Sequence, residues 1–346
     1  KKNSCFFPGR SNNSSWVDRL DYSNDTTAAS VKGYLSAGTN DAGATGNPNF
    51  GYAGGGDTGP TSTLHRIDYS NDSATALART TLGSTNYGQR AVSGRENGLL
   101  PTAALLAPVQ PPFPFPVQVG VHGYYAGGKT SNPPTGPIVS TVERITFDND
   151  TVTASPKGSL SYLTCFHGGT GNSNYGYVFG GNPTFSSSSS NSNRVDYSND
   201  TSTATEKGKL TTNRSQVASI GNKNYGYSAG SGSGNKTSID RMDFSNDTTD
   251  CVLKGNFTAR RVRAAAGTQS YGYFTGGSPA ASRVDRIDYA NDTAIVSERG
   301  PLASSSPYNV ATSNANFAYV TKAENTTTIQ RIDFANDTAT ASVKGP

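Results

Sequence analysis

Short stretches of strict polar/apolar alternation run the length of this chain, and no segment shows the 3.6-residue recurrence of an amphipathic helix. Arg194-Val195-Asp196-Tyr197 is typical: Arg and Asp share one face of an extended strand, and Val and Tyr take the other. Upstream, an aromatic run stops at paired glycines in Gly176-Tyr177-Val178-Phe179-Gly180-Gly181. That predicts a strand whose exit needs positive φ or close backbone approach. Downstream, Asn199-Asp200 predicts a turn, because both side chains bond their own backbone and tolerate left-handed geometry. A Thr/Ala strand over 201–205 follows and ends at Lys207-Gly208. A fourth, weaker strand falls between that glycine and the next aromatic run, as at 216–220 or 263–267.

This pattern is written seven times. Arg19, Arg66, Arg144, Arg194, Arg241, Arg286 and Arg331 mark the copies, at steps of 47, 78, 50, 47, 45 and 45 residues. Two residues on stand Asp21, Asp68, Asp196, Asp243, Asp288 and Asp333, with Thr146 in the third copy. Lys32-Gly33, Lys157-Gly158, Lys254-Gly255, Arg299-Gly300 and Lys344-Gly345 repeat the basic-Gly stop, and the second copy departs with Arg79-Thr80. Degenerate aromatic runs occur at 5–9 and 317–321. A fixed period of this size, with four strands per unit, is that of a propeller blade. The expected fold is all-β: one seven-bladed β-propeller of four-stranded blades over residues 1–346, with the Asn-Asp turns towards the outside and the innermost strands drawn from the sequence between repeats.

The order of aromatic strand, Gly-Gly, variable loop, Arg-[Ile/Val]-Asp-Tyr, polar turn and further strand resembles a kelch-type blade. Kelch blades carry a Trp in the last strand, where this chain has Thr, Ala or Val; its single Trp16 lies elsewhere. The run from Arg331-Ile332-Asp333-Phe334 through Asn336-Asp337-Thr338 to Lys344-Gly345-Pro346 is more specifically similar to repeats in proteins of marine bacteriophages. That resemblance covers nearly the whole chain outside one insertion. It implies a virion or tail-fibre component: a non-enzymatic structural and attachment module, virion-borne or extracellular. The partners it implies are other virion or appendage proteins or a host-surface glycan. The same scaffold would also suit a secreted cellular lectin or adhesin. A kelch-like oxidase is disfavoured, because its copper-binding Tyr, His and Cys set has no recognisable counterpart.

Composition narrows this further. Hydrophobic residues make up 33% and there are 39 Gly, but 18 Tyr and 14 Phe recur at regular places and suit thin layers between blades. The formal charge of +4 does not point to nucleic acid, since the cationic residues of the repeat are spread around a ring without a basic cluster. Cys5, Cys165 and Cys251 are too scattered for a disulfide framework or a zinc site, and His65, His122 and His167 share no ligand spacing. No nucleophile elbow or phosphate loop stands out, so neither catalysis nor a cofactor is expected. No run of 18 apolar residues exists, so membrane insertion is not expected either. There is no signal peptide and residue 1 is Lys, which suggests a processed chain or a fragment.

Two features invite a functional reading. The repeated Arg-x-Asp pair would form a ring of carboxylates for a metal or sugar, or else bind blade to blade. Its recurrence in nearly every copy favours architecture, with each Arg buried and bonded to an Asp or carbonyl of its own or the next blade. The Asn-Asp-Thr/Ser segments also spell glycosylation sequons, although turn chemistry accounts for them. The symmetry breaks after Leu82, where 40 residues separate it from His122. The extra ~25 residues lie within 94–120 and hold six prolines with Leu99, Leu100, Leu105, Leu106, Phe113 and Phe115. Leu105, Leu106, Phe113 and Phe115 are the candidate interaction residues, the alternative being a loop folded over its own blade. Residues 186–190 read as a flexible serine tip. Finally, seven copies of three strands have only six intervening segments, so the first blade is expected to lack its innermost strand unless sequence past Pro346 or a neighbouring segment fills it.

Overall fold

A computed structural model describes residues 4–344 except 11–13, 22–28, 40–42, 48, 56–60, 87–89, 94–121, 131–135, 148, 150, 231–235, 258–259, 263, 279–280, 294, 306–308 and 323–327. The described residues form antiparallel sheets, and their one helical element is a single 3-10 turn at Phe334–Asn336. The first sheet has three strands, β1 (Ser4–Arg10), β2 (Ser14–Asp21) and β3 (Ser30–Tyr34). Six four-stranded sheets follow. They are β4 (Gly43–Gly46), β5 (Phe50–Gly54), β6 (Thr61–Asp68) and β7 (Leu77–Asn86); then β8 (Arg90–Ser93), β9 (His122–Ala126), β10 (Val142–Thr146) and β11 (Ser155–Pro156). Next come β12 (Gly168–Gly171), β13 (Tyr175–Phe179), β14 (Ser192–Asp196) and β15 (Thr205–Lys207), then β16 (Ala218–Gly221), β17 (Tyr225–Ala229), β18 (Ser238–Asp243) and β19 (Val252–Asn256). The last two are β20 (Ala264–Gly267), β21 (Tyr271–Thr275), β22 (Val284–Asp288) and β23 (Ser297–Glu298), and β24 (Asn309–Ser313), β25 (Phe317–Lys322), β26 (Ile329–Asp333) and β27 (Ser342–Val343).

This is a β-propeller, with one correction to the expected seven four-stranded blades. Six sheets have four strands, and the first has three among the described residues. The strand before each aromatic run is the innermost: β4, β8, β12, β16, β20 and β24 pack side by side in that order. Register is the same from blade to blade. Thr170 faces Tyr177, Tyr177 faces Arg194 and Arg194 faces Thr205; Ile220, Tyr227, Arg241 and Val252 repeat the row one blade on.

The core is divided among the blade interfaces. Tyr177, Phe179 and Leu210 of one blade pack on Met242, Phe244 and Cys251 of the next, and corresponding clusters join the others. Leu20 of the first sheet packs on Tyr319 and Ile329 of the last, so the ring closes. At six described interfaces the aromatic three residues after the recurring Arg, at the end of its motif, stacks on the second-strand aromatic of the preceding blade. The pairs are Phe6–Tyr69, Tyr52–Phe147, Tyr124–Tyr197, Tyr177–Phe244, Tyr227–Tyr289 and Tyr273–Phe334, with ring centroids 4.4–5.0 Å apart. Aromatic residues thus do the work that a larger aliphatic core does elsewhere.

Candidate functional site

The most polar part of four described interfaces is a carboxylate cage. There the buried Asp of the Asn-Asp turn receives a Tyr, an Arg and a further basic residue from the preceding blade. On Asp247, Tyr177 donates at 2.8 Å, Arg194 at 2.7 Å and Lys207 approaches at 3.0 Å. Asp292 receives Tyr227, Arg241 and Lys254, and Asp337 receives Tyr273, Arg286 and Arg299. Asp200 receives Tyr124, Arg144 and Lys157, and Arg19 reaches Asp72 at 2.5 Å. Burial alone would raise the Asp247 carboxyl, but Lys207, Tyr177 and Arg194 together hold it below the ordinary carboxylate range. Burial and the Asp247 hydrogen bond push the Tyr177 phenol up, so it stays a donor.

The recurring Arg is therefore bonded, but it is not fully buried: the Arg194 side chain is 22% exposed. One side of it is covered by Tyr175, whose ring centroid lies 4.2 Å from the guanidinium, and Tyr225 and Tyr271 cover Arg241 and Arg286 in the same way. In the second and last repeats Arg66 and Arg331 lie over Phe50 and Phe317. The partner carboxylate is the turn Asp of the next blade. The Asp of Arg-x-Asp does something else: Asp68, Asp196 and Asp243 each accept from the backbone N–H and hydroxyl of the Ser two residues on, and Asp288 and Asp333 accept from the N–H of Ala290 and Ala335. Those carboxylates shape their own turns and gather into no ring.

Acid should therefore loosen the interfaces. Because the Asp247 pKa is depressed on folding, its stabilisation is complete above the unfolded carboxylate value of about 4 and is lost as pH falls through the lower folded value. Thermal melts are expected to hold steady near neutrality and drop below about pH 4. The Asp247→Asn protein should lose part of that slope.

A second polar layer was not legible as a motif. The residue before each recurring Arg is buried in every blade: Asp18, His65, Glu143, Asn193, Asp240, Asp285 and Gln330. His65 bonds Ser36, Asn193 bonds Ser161, Gln330 bonds Ser304, Asp240 bonds Thr211 and Arg214, and Asp285 bonds Arg260 and Arg283. Apart from Asp285–Arg283, which is local, each pair ties the segment entering a blade to its third strand. Arg214 and Arg260 also reach the carbonyls of Gly230 and Gly276, the place that Thr39 and Thr164 fill on Gly55 and Gly180. Those glycines lie at the strand exit with φ between 57° and 81°. Lys129 is fully buried beneath the rings of Phe166 and Phe185.

Burial lowers the pKa of His65 and of His122 and keeps both neutral. It pushes the Cys165 thiol up to about 11 and that of Cys251 up to about 12. Both cysteines are free and lie among packed side chains. Among the described residues no three His, Cys, Asp or Glu side chains gather as metal ligands would.

Two concave places among the described residues are relevant. One hollow of about 180 Å³ crosses β16, β20 and β24 and is lined by Ser219, Ile220, Ala265, Ala266, Thr312 and Ser313 with neighbouring glycines. The larger, a groove of about 320 Å³, runs between two blades at the end where strands one and two turn. Asn172, Asn174 and Tyr175 form one wall; Lys223, Asn224, Tyr225, Asp243, Phe244 and Ser245 form the other. The walls are rigid because Asn172 and Asn222 each accept from the two N–H groups next along the turn, at 2.9–3.0 Å. Asn47 and Asn314 make the same turn in their blades, and Thr268 substitutes in the sixth.

The two attachment points of the insertion lie at this end of the molecule. Ser93 pairs with Gly123, so residues 94–121 connect β8 to β9, where β12 and β13 are joined by 172–174. Leu105, Leu106, Phe113 and Phe115, proposed from sequence as contact residues, lie outside the described residues.

Fold and site together define a β-propeller whose repeated charges lock its blades and whose grooves lie between turns. No family model matches the chain, and no curated protein matches it in sequence. Among solved structures, that of YjhT is similar, with a TM-score of 0.61 over 87% of this chain and 95% of that chain, at 10% identity. At that identity the likeness speaks for the fold alone.

Proposed function

We propose that this propeller is a non-enzymatic structural and attachment module of a virion, from a phage fibre or surface appendage, that engages a host-surface glycan or a partner protein. The virion setting rests on the likeness of its repeats to those of marine bacteriophage proteins. The attachment role rests on the inter-blade groove. Its walls offer planar amides, hydroxyls and half-buried Tyr rings, held by turns that need no reorganisation on binding. Sugars present hydroxyl groups in pairs and apolar C–H faces, which amides and aromatic rings match. The chemistry-bearing residues that recur in the repeat are occupied in joining blades or in shaping their own turns, and this favours recognition over catalysis. The apolar insertion is attached at the same end.

Asn174 and Asn224 are exposed, and their carbonyls accept from Tyr197 and Phe244, bonds that an Ala backbone keeps. The Asn174→Ala/Asn224→Ala protein should melt with the parent. On a panel of immobilised oligosaccharides the parent is expected to bind and the double variant to bind several-fold more weakly. Equal binding by both, or no retention of any sugar alongside copper-dependent oxidation of one, would overturn the reading.

A further inference from the structure

We propose that the first sheet is a strand acceptor: the lane inside β1 takes an extended segment of the sequence small–(Thr/Val/Ile/Ala)–(Gly/Ser), supplied from outside the described residues. The ring supplies the geometry. From β4 round to β24 each innermost strand packs on the next, whereas β24 and β4 are not packed in this way. Between them stands the first sheet, in which β1 has β2 as its one partner among the described residues.

Register equivalence defines what the lane offers. Phe6 faces Arg19 as Tyr177 faces Arg194, so Phe6 occupies the place of Tyr177, and Ser4 and Pro8 those of Tyr175 and Phe179. In the complete blade, Gly180 donates away from the innermost strand, to Asn191. Alternation therefore turns the N–H groups of Tyr175, Tyr177 and Phe179 towards β12, and Asn172 donates back to the Tyr175 carbonyl. By the same alternation β1 presents the carbonyls of Ser4, Phe6 and Pro8 and the N–H groups of Ser4 and Phe6 to the lane. Pro8 withholds only the donor at one end. A row of backbone groups beside the channel is a template for one more strand.

The six strands already seated show which chemistry fits. Opposite the residue equivalent to Phe6 stand Thr45, Val92, Thr170, Ile220, Ala266 and Thr312. The residue before each of these is Ala, Gly or Ser, and the residue after it is Gly or Ser. Crowding explains the small residues. A Cβ on Gly171, Gly221 or Gly267 would come within 2.2–2.3 Å of the carbonyl oxygen of Tyr175, Tyr225 or Tyr271. A bulky residue at that last position would not enter, whereas the place two residues before the central one already holds Arg90 in β8 and Val310 in β24.

The test is an extended protein carrying a second copy of residues 302–314 directly after Pro346, since Lys344-Gly345-Pro346 repeats Arg299-Gly300-Pro301. A control extension replaces the copies of Val310, Ala311 and Thr312 with Pro, Asp and Pro. The first extension is expected to raise the melting temperature and to slow hydrogen exchange at Ser4 and Phe6, and the control to do neither. Three results would overturn the proposal: an unchanged melting temperature with the added segment exchanging freely, an equal gain from the control, or slow exchange at Ser4 and Phe6 already in the unextended chain.

Discussion

Asp247→Ala is expected to destabilise the propeller by about 3 kcal/mol, measured by urea denaturation with an unchanged slope. The carboxylate gathers a phenol and two cations from the neighbouring blade, and removing it leaves Tyr177, Arg194 and Lys207 facing one another without an acceptor. The side chain of Asp247 is 7% exposed and that of Lys207 8%, so water cannot replace the lost bonds at that end. Arg194, at 22%, recovers some hydration, which keeps the loss below that of a wholly enclosed pair. Asp243→Ala, four residues earlier, provides the contrast: it removes a turn cap onto Ser245 and should cost about 1 kcal/mol. Equal losses for the two would mean that the cage contributes no more than the turn.

The inner three strands, their order within a blade and the turns between them were legible, because alternation, Gly-Gly stops and Asn-Asp pairs are local signals. The outer strand begins later than its Thr/Ala pattern implied, since 201–204 lead out of the turn and β15 covers Thr205–Lys207. The role of the Asp in Asn-Asp was not legible. Local turn chemistry already accounted for it, and its Arg partner lies 53 residues upstream, at Arg194 for Asp247. The Arg-x-Asp spacing drew attention to Asp196 and Asp243 instead, although each serves only its own turn. Spacing identifies residues that share a face of one strand, whereas the interface is built between copies. The buried row from Asp18 to Gln330 was hidden for another reason: its identity changes in every blade, so it forms no motif. A signal was present, since a position on the apolar face of the strand is polar in all seven copies. The groove was out of reach, because its two walls come from turns fifty residues apart, Asn172 and Asn222.

This division also bears on the proposed function. Repeats that must bind one another copy their contact residues, so motif strength reports on assembly of the ring. Under the proposed function, recognition would fall to what the repeat does not constrain: the tips of the turns, the loops after the paired glycines and the insertion between β8 and β9.

Gly208→Ala is expected to be at least as damaging as the loss of Asp247, although it removes no bond and adds one methyl group. The glycine after the basic residue is where one blade's last strand touches the next blade's turn. Its N–H donates to the Asp247 carbonyl at 2.9 Å, and a Cβ there would stand 1.8 Å from the carbonyl oxygen of Thr249. Gly33, Gly158 and Gly300 are equally close to Ala74, Ser202 and Ala339, so the constraint belongs to the interface and not to one blade. Backbone oxygen cannot swing aside as a flexible side chain would. Relief requires the strand end to withdraw, which lengthens the Gly208 hydrogen bond and pulls Lys207 from Asp247. Overpacking and loss of that cage act together, and a cost of about 3–5 kcal/mol follows. Thr205→Ala, exposed on the same strand, should stay within about 0.5 kcal/mol of the parent. In the double variant Gly208→Ala/Asp247→Ala the losses should fall well short of additive, since the first change already disrupts what the second removes. Full additivity in urea melts would mean that the glycine and the carboxylate act through separate contacts, and the single-interface account would fail.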